Sequence, residues 1–524
     1  MASMQPADKH GLTPVETVVA DSNDGDKMGR VTQVGAMRVL GLDVEDEDYY
    51  VNYPPDHRSK LVHKIDVRLT PVLAILYLIS HLDRGNIGNA NIEGLSVDLG
   101  LTGVQYNVAL SILFVTYIIF EIPSNMLLKI YFDKKPSYYM GLLVTCWGIV
   151  MTMTGVVQNY AGLVVCRLLL GLFEAGFFPG AIYLCTQWYM PGELALRISY
   201  LYLTSALSSA FSGLLAAAIA EMDGAGGYEG WRWIFILEGI ATVLLGVLTF
   251  KLLIDTPDQS KWLSPEEKRY LNIQAFVKEG GDFGRKTKES NRLALRQTFM
   301  DWKLYVMSLL LFVNIAAGYG VKLTMPAIIK GMGFENRNAQ LMTAPPYIAG
   351  AISTVVSSKL SDRYYRRMPF IVIPWIIFII GYAVIMSFGA HTADNVGPSY
   401  FAVFLVCIGL FPVNPAITSW TANNIAPASK RAIGLAFYVS VGNIGGVLAG
   451  FMFLQHEAPA YPTGYGISIG VLGLGVIVAL LLEFAYIRIN KQRAQMSAEE
   501  VKARYTEEEL ASMGDNSPLF KYIL

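Results

Sequence analysis

Residues 68–90 read RLTPVLAILYLISHLDRGNIGNA, and residues 162–186 read GLVVCRLLLGLFEAGFFPGAIYLCT. Each is an apolar run near the length of about 20 residues that a helix needs to cross a bilayer. Each also carries charge within the run: Asp83 and Arg84 in the first, Arg167 and Glu174 in the second. An isolated ionisable residue at the centre of such a helix costs about 2.5–3.5 kcal/mol. Two of each sign are tolerable when the two helices face each other and the charges neutralise. The two stretches therefore predict a helical membrane bundle with a polar core.

The rest of the chain agrees. Of 524 residues, 53% are hydrophobic and only 16% charged, against about 25% charged in soluble domains. Apolar stretches recur twelve times, at about 68–90, 103–128, 137–157, 162–186, 195–220, 232–254, 302–326, 340–358, 369–388, 400–421, 431–454 and 465–487. Lys129, Lys134, Lys135, Arg197, Lys359, Arg363, Arg366, Arg367, Lys430 and Arg431 fall in alternate loops. The opposite loops near 91–102, 221–230, 389–399 and 456–464 hold no Lys or Arg, Lys330 and Arg337 being the exception. The positive-inside rule puts both termini in the cytosol, and a multi-pass plasma-membrane protein is expected. The first apolar run starts too late for a signal peptide. The four cysteines lie in apolar segments without ligand spacing and read as small core residues.

One long basic connection, 255–301, divides the spans six and six. Within it Ser264-Pro-Glu-Glu is a helix start, with a Ser cap, Pro in the first turn and carboxylates near the positive dipole end. The expected organisation is a disordered cytosolic arm (1–66, with an acidic patch at 43–48), a six-helix bundle (67–254), the linker (255–301), a second bundle (302–488) and a cytosolic tail (489–524). The fold class is thus all-α, twelve transmembrane helices in two pseudo-symmetric bundles, an organisation that resembles the major facilitator superfamily.

Arg167 and Glu174 are seven residues apart, so they lie on one helical stripe with Gly171 between them. That glycine reads as open space for a small ligand or water. Asp83 and Arg167 fall at similar depth, about 10 Å below the outer surface at 1.5 Å per residue, with Glu174 near the midplane. A single buried pair would read as a static helix clamp; four residues read as function. In the second half, span seven carries Asn314, Tyr319 and Lys322, and span ten carries Asn414, Ser419, Thr421 and Asn423. Lys322 reads equally as an interfacial snorkelling residue or a substrate contact. Pro412 and Pro415 are expected to break span ten toward a cavity. Glu121 and Glu238, nearer span ends, read as structural. The glycine stripe Gly442, Gly446 and Gly450 reads as a close helix contact.

Two sets of motifs carry a closer resemblance. His81-Leu-Asp83-Arg84-Gly-Asn86-Ile-Gly-Asn89 and Arg167-xxxGlyxx-Glu174-Ala-Gly-xx-Pro179 resemble the anion:cation symporter family of that superfamily. Glu121-Ile-Pro-Ser-Asn125, Gly230-Trp-Arg-Trp-Ile-Phe-Ile-Leu-Glu238-Gly239 and Trp262-Leu-Ser-Pro-Glu-Glu are similar to its fungal allantoate/nicotinate permease branch. The resemblance spans about residues 60–490. It implies Asp83 and Glu174 as proton carriers, and Arg84 and Arg167 as partners for a substrate carboxylate or for those acids. Substrate choice is assigned to the second half, to Asn314, Tyr319, Lys322 and Asn423. Ser358-Lys-Leu-Ser-Asp362-Arg363-Tyr-Tyr-Arg366-Arg367 resembles the superfamily's cytoplasmic loop signature, with Asp362, Arg363 and Arg366 as a latch on the inner gate.

The expected function is secondary active transport, a proton-coupled symport of a small organic anion. The proton is the coupling ion, with no other cofactor, no metal and no nucleic-acid partner, and a monomer in the bilayer is the expected working unit. Efflux or uptake of a secondary metabolite on the same fold is the alternative, and a non-transporting nutrient receptor is the alternative from another class. No nucleophile–base pair or metal-ligand spacing supports an enzyme.

Overall fold

A computed structural model of the chain describes residues 43–132, 134–278, 296–426, 428–454, 457–458, 460–496, 498–506, 509 and 513–524. Most of the acidic arm (1–42) and the basic part of the linker (279–295) lie outside the described residues. The first half consists of α2 (Pro55–Ile92), α3 (Gln105–Tyr131), α4 (Pro136–Thr154), α5 (Tyr160–Glu174), α6 (Phe177–Trp188), α7 (Pro191–Ala220) and α8 (Gly230–Leu252), preceded by a short α1 (Val44–Val51). Helix α9 (Pro265–Lys278) lies in the linker. The second half holds α10 (Trp302–Lys330), α11 (Ala344–Tyr364), α12 (Pro369–Phe388), α13 (Val396–Leu410), α14 (Val413–Asn423), α15 (Ala428–Ala449) and α16 (Pro462–Arg493).

Among the described residues, nine helices are long and apolar enough to cross a membrane, α5–α6 and α13–α14 each counting as one. Helices α4, α11 and α15 complete the twelve. Two separate hydrophobic cores form, one in each half. The halves meet along α2 with α10, α3 with α15 and α7 with α11, and α7 also touches α14 and the short helix Asn336–Leu341.

Two of the spans are broken. The fourth breaks at Ala175–Gly176, directly after Glu174, and the tenth at Phe411–Pro412, where proline supplies no backbone donor for a continuous helix. The break in the tenth span follows the expectation drawn from Pro412 and Pro415. The break in the tenth span places Phe411 on the wall of the central cavity, where such a break is tolerated.

Helix α9 begins with a capping box. Ser264 N–H donates to Glu267 Oε2 (2.8 Å) and Glu267 N–H donates to Ser264 Oγ (3.2 Å). Residues 43–66 were expected to be disordered and are not. Arg269 of α9 binds Glu45 (2.9 Å) and Asp46 (2.8 Å) of α1, Tyr50 and Tyr53 stack on Tyr270, and α2 begins as early as Pro55. An acidic segment that cannot fold alone orders here because the linker helix presents a cation and an aromatic surface to it.

The last described segment, 513–524, packs back beneath the second half. Asp515 is fully buried and bridges Lys430 (2.6 Å) and Lys303. Asn424 and Trp420 bind the Ile523 carbonyl (2.9 and 2.8 Å), and Tyr522 stacks on Tyr486. Burial alone would raise the Asp515 carboxyl, but the ammonium groups of Lys303 and Lys430 outweigh it and hold the group below its ordinary value. A depressed carboxyl contributes stability above its unfolded-state value and loses it as pH falls through its folded one. Asp515→Asn is therefore expected to cost about 3 kcal/mol near neutral pH, with the difference from the parent shrinking in acid. Thermal unfolding of both proteins across pH checks this.

Candidate functional site: a charged cavity between the halves

Arg84 projects from α2 and Glu174 ends α5. Arg84 Nε lies 2.7 Å from Glu174 Oε1, with side-chain exposures of 10% and 1%. Ser80, one turn before Arg84, also donates its hydroxyl to Glu174. The guanidinium lies 4.5 Å over the Tyr117 ring, and its Nη1 donates to the Tyr319 hydroxyl of the second half at 3.0 Å. One arginine thus touches a carboxylate, an aromatic face and the opposite bundle. Glu174 Oε2 is buried without a hydrogen-bond partner.

Lys322, from the second half, stands across the same space. Its Nζ donates to Ser205 Oγ (3.3 Å) in the first half and lies 5.2 Å over Phe411. No carboxylate pairs with it among the described residues. Between Arg84 and Lys322 lies a cavity of about 100 Å³, walled by Tyr77, Phe178, Tyr202 and Phe411 and edged by Asn314, Asn414 and Asn443. A smaller void of about 30 Å³, lined by Asn89, Ser209, Ser212 and Thr343, adjoins it on the side away from the linker and shares His81, Arg84, Tyr319 and Lys322. With Glu174 taken up by Arg84, the three formal charges at the cavity sum to plus one. That is an environment for an anion.

The expected quartet does not form. Successive residues on a helix point about 100° apart at 3.6 residues per turn, so Asp83 cannot share Arg84's face. Asp83 turns into the first-half core, where Trp147 Nε1 (3.0 Å) and Thr242 Oγ1 (3.1 Å) donate to it. Arg167 is buried with Nε and Nη2 unpartnered and lies 5.9 Å over Phe235, so the facing of Asp83 and Arg167 produces no ion pair. Gly171 is not open space either. A Cβ there would fall 2.2 Å from Thr116 Oγ1 and 2.3 Å from the Leu113 carbonyl; the glycine lets α5 pack tightly on α3.

In the second half, Asn314, Tyr319 and Lys322 line the cavity, whereas Asn423 does not. Asn423 closes α14 at its linker-side end, about two turns beyond Asn414 and Pro415, which do reach the space. Asn314 Nδ2 donates to Asn414 Oδ1 at 2.9 Å and Trp375 Nε1 donates to Asn314 Oδ1 at 3.0 Å, so that amide is held in one orientation. Sequence reading missed the aromatic wall and Asn443, whose residue types are ordinary in any apolar helix. Asp362 is 70% exposed and pairs with Arg367 (2.6 Å), not with Arg363 or Arg366. That pair stays within the second half and does not cross to the first.

A polar, cation-bearing cavity at the seam of two six-helix bundles defines a secondary transporter, not an enzyme. The chain belongs to the major facilitator superfamily, whose family description matches residues 73–450. Among its relatives, the "MFS-type transporter cnsO" of Penicillium expansum is 35% identical, covering 89% of this chain and 91% of that one. The "High-affinity nicotinic acid transporter" of Saccharomyces cerevisiae is 32% identical, covering 90% and 86%, in keeping with the permease branch that the motifs resemble. In fold, a bacterial homologue of the lysosomal transporter Spinster, solved inward-facing, superposes with a TM-score of 0.63 at 16% identity, covering 83% of this chain and 98% of that one. The D-xylose-proton symporter gives 0.62 at 14%, covering 79% and 96%.

Proposed function

We propose that this protein carries a small organic monoanion, a carboxylate with a flat or aromatic body, together with a proton. The observation that carries this reading is Lys322, a cation at the cavity wall without a carboxylate, facing Arg84 across aromatic rings. A carboxylate between Arg84 and Lys322 would gain charge-assisted hydrogen bonds, and its body would lie among Tyr77, Phe178 and Tyr202. The yeast relative named for nicotinic acid supports the same chemistry. Proton binding at Glu174, whose Oε2 is buried without a hydrogen-bond partner, would release Arg84 to hold the anion. On proton loss Glu174 would reclaim Arg84 and the anion would leave.

The halves touch at the face away from the linker, through Gln340–Glu93 (2.8 Å) and Asn107–Gly450 (2.7 Å). Rocking about the seam would expose the cavity to alternate sides. In this reading the linker face is cytosolic and the membrane is the plasma membrane. Proteoliposomes with an imposed pH gradient and labelled monocarboxylates test it. Accumulation driven by the proton gradient is expected, and uptake indifferent to that gradient overturns proton coupling. Lys322→Gln is expected to raise KM at least about tenfold, the worth of roughly 1.4 kcal/mol of lost charged contact. An unchanged KM for an anionic substrate overturns the anion site.

A further inference from the structure

The seam between α3 and α15 is built as a ladder. Asn107 Nδ2 donates to the Gly450 carbonyl (2.7 Å), Ser111 Oγ to the Val447 carbonyl (2.9 Å), and Phe114 packs on Gly446, where a Cβ would fall 2.5 Å from the ring. One to two turns further toward the linker, among the described residues, the ladder ends at Glu121. Its Oε2 accepts from Ser440 Oγ at 3.3 Å, and Asn443, one turn on along the same helix, faces the carboxylate. Glu121 is buried, has no ion pair among the described residues, and is not part of the cavity wall. The groups facing it are Ser440 and Asn443 of α15, Tyr202 of α7, Tyr117 on its own helix, and Arg84 of α2. Arg84 is already engaged by Glu174.

A helix contact between the two halves, without a cation, is an uncommon place for a purely structural carboxylate. Ionised and dry, it is strongly disfavoured; protonated, it costs little and can itself donate to the Asn443 or Ser440 oxygen. We propose that Glu121 is a second proton site of the transport cycle, and that the α3–α15 seam closes at this level only over its protonated form. Ionisation requires water, and water enters when the halves part on the linker face. Proton release at Glu121 is thereby tied to opening, while Glu174 ties a proton to cargo. The inference needs the two halves to move apart but not the identity of the cargo.

Spin labels at Tyr131 and Tyr364, the exposed linker-side ends of α3 and α11, report the separation of the halves without substrate. In lipid nanodiscs the parent is expected to lengthen this distance as pH rises from acid to alkaline. Glu121→Gln, a fixed mimic of the protonated acid, should hold the short distance throughout. Ser440→Ala removes a donor that favours the ionised form and should move the midpoint to higher pH, a readout that survives should Glu121→Gln fail to fold. A parent-like pH response in Glu121→Gln, or an unmoved midpoint in Ser440→Ala, overturns the proposal. Because no cargo is present, either outcome leaves the anion-site reading to its own test.

Discussion

Replacing Arg84 with alanine is expected to abolish transport and to destabilise the protein by about 3–5 kcal/mol, the usual cost of stripping one partner from a buried ion pair. Glu174 is 1% exposed and, among the described residues, takes its only cation contact shorter than 4 Å from Arg84. Among the described residues, Ser80 then remains as its hydrogen-bond donor. The same substitution removes the link from α2 to Tyr319 of the opposite half. Arg84→Ala combined with Glu174→Gln separates structure from transport. Neutralising the carboxylate should recover most of the lost stability, measured by thermal unfolding in detergent, but not uptake, because the proposed anionic cargo would still lack its guanidinium. Uptake by the double variant would reduce the pair to a helix clamp.

Gly213→Leu is expected to give a folded protein whose transport falls more than tenfold, because the halves can no longer meet on the face away from the linker. A Cβ on Gly213 of α7 would lie 2.3 Å from Thr343 Oγ1 and 2.4 Å from the Gln340 carbonyl of the second half. These distances admit no side chain while the face is closed, and backbone on that side cannot yield. Steric overlap of this kind costs about 1–3 kcal/mol or more, so a bistable interface shifts to its other state rather than unfolding. A cysteine placed in the smaller void, for instance Ser209→Cys, should become reactive to a membrane-impermeant thiol reagent in this background. Unchanged reactivity and normal uptake would show that the contact does not gate.

Much of this architecture was legible in the chain. Twelve apolar runs, Lys and Arg concentrated in alternate loops and one central linker are properties of composition along a line, and a bilayer converts them directly into helices. The prolines of span ten announced its break for an equally local reason. The identity of the charged residues was also visible, since nothing else in an apolar helix demands explanation so strongly. Their pairing was not. Arg84 and Asp83 are neighbours in sequence and opposites in space, and only the rotation of α2 against α5 and α4 decides which reaches Glu174.

The docked tail and the ordered acidic segment were hidden for a different reason. Polar segments carry no periodic signal; they order when a distant surface supplies matching charge and aromatic area, as Arg269 and Tyr270 do for α1. Glu121 was read as structural from its distance to a span end, yet its place on the seam depends on α15 arriving opposite.

By itself the sequence determined that this protein is a two-bundle membrane transporter and which few ionisable residues sit within the bilayer, because hydropathy and desolvation act residue by residue. The tertiary structure alone decided which of those residues face each other, the cavity or the seam between the halves. Those relations depend on the rotation and crossing of helices from distant parts of the chain, and a linear pattern of apolar residues leaves both undetermined.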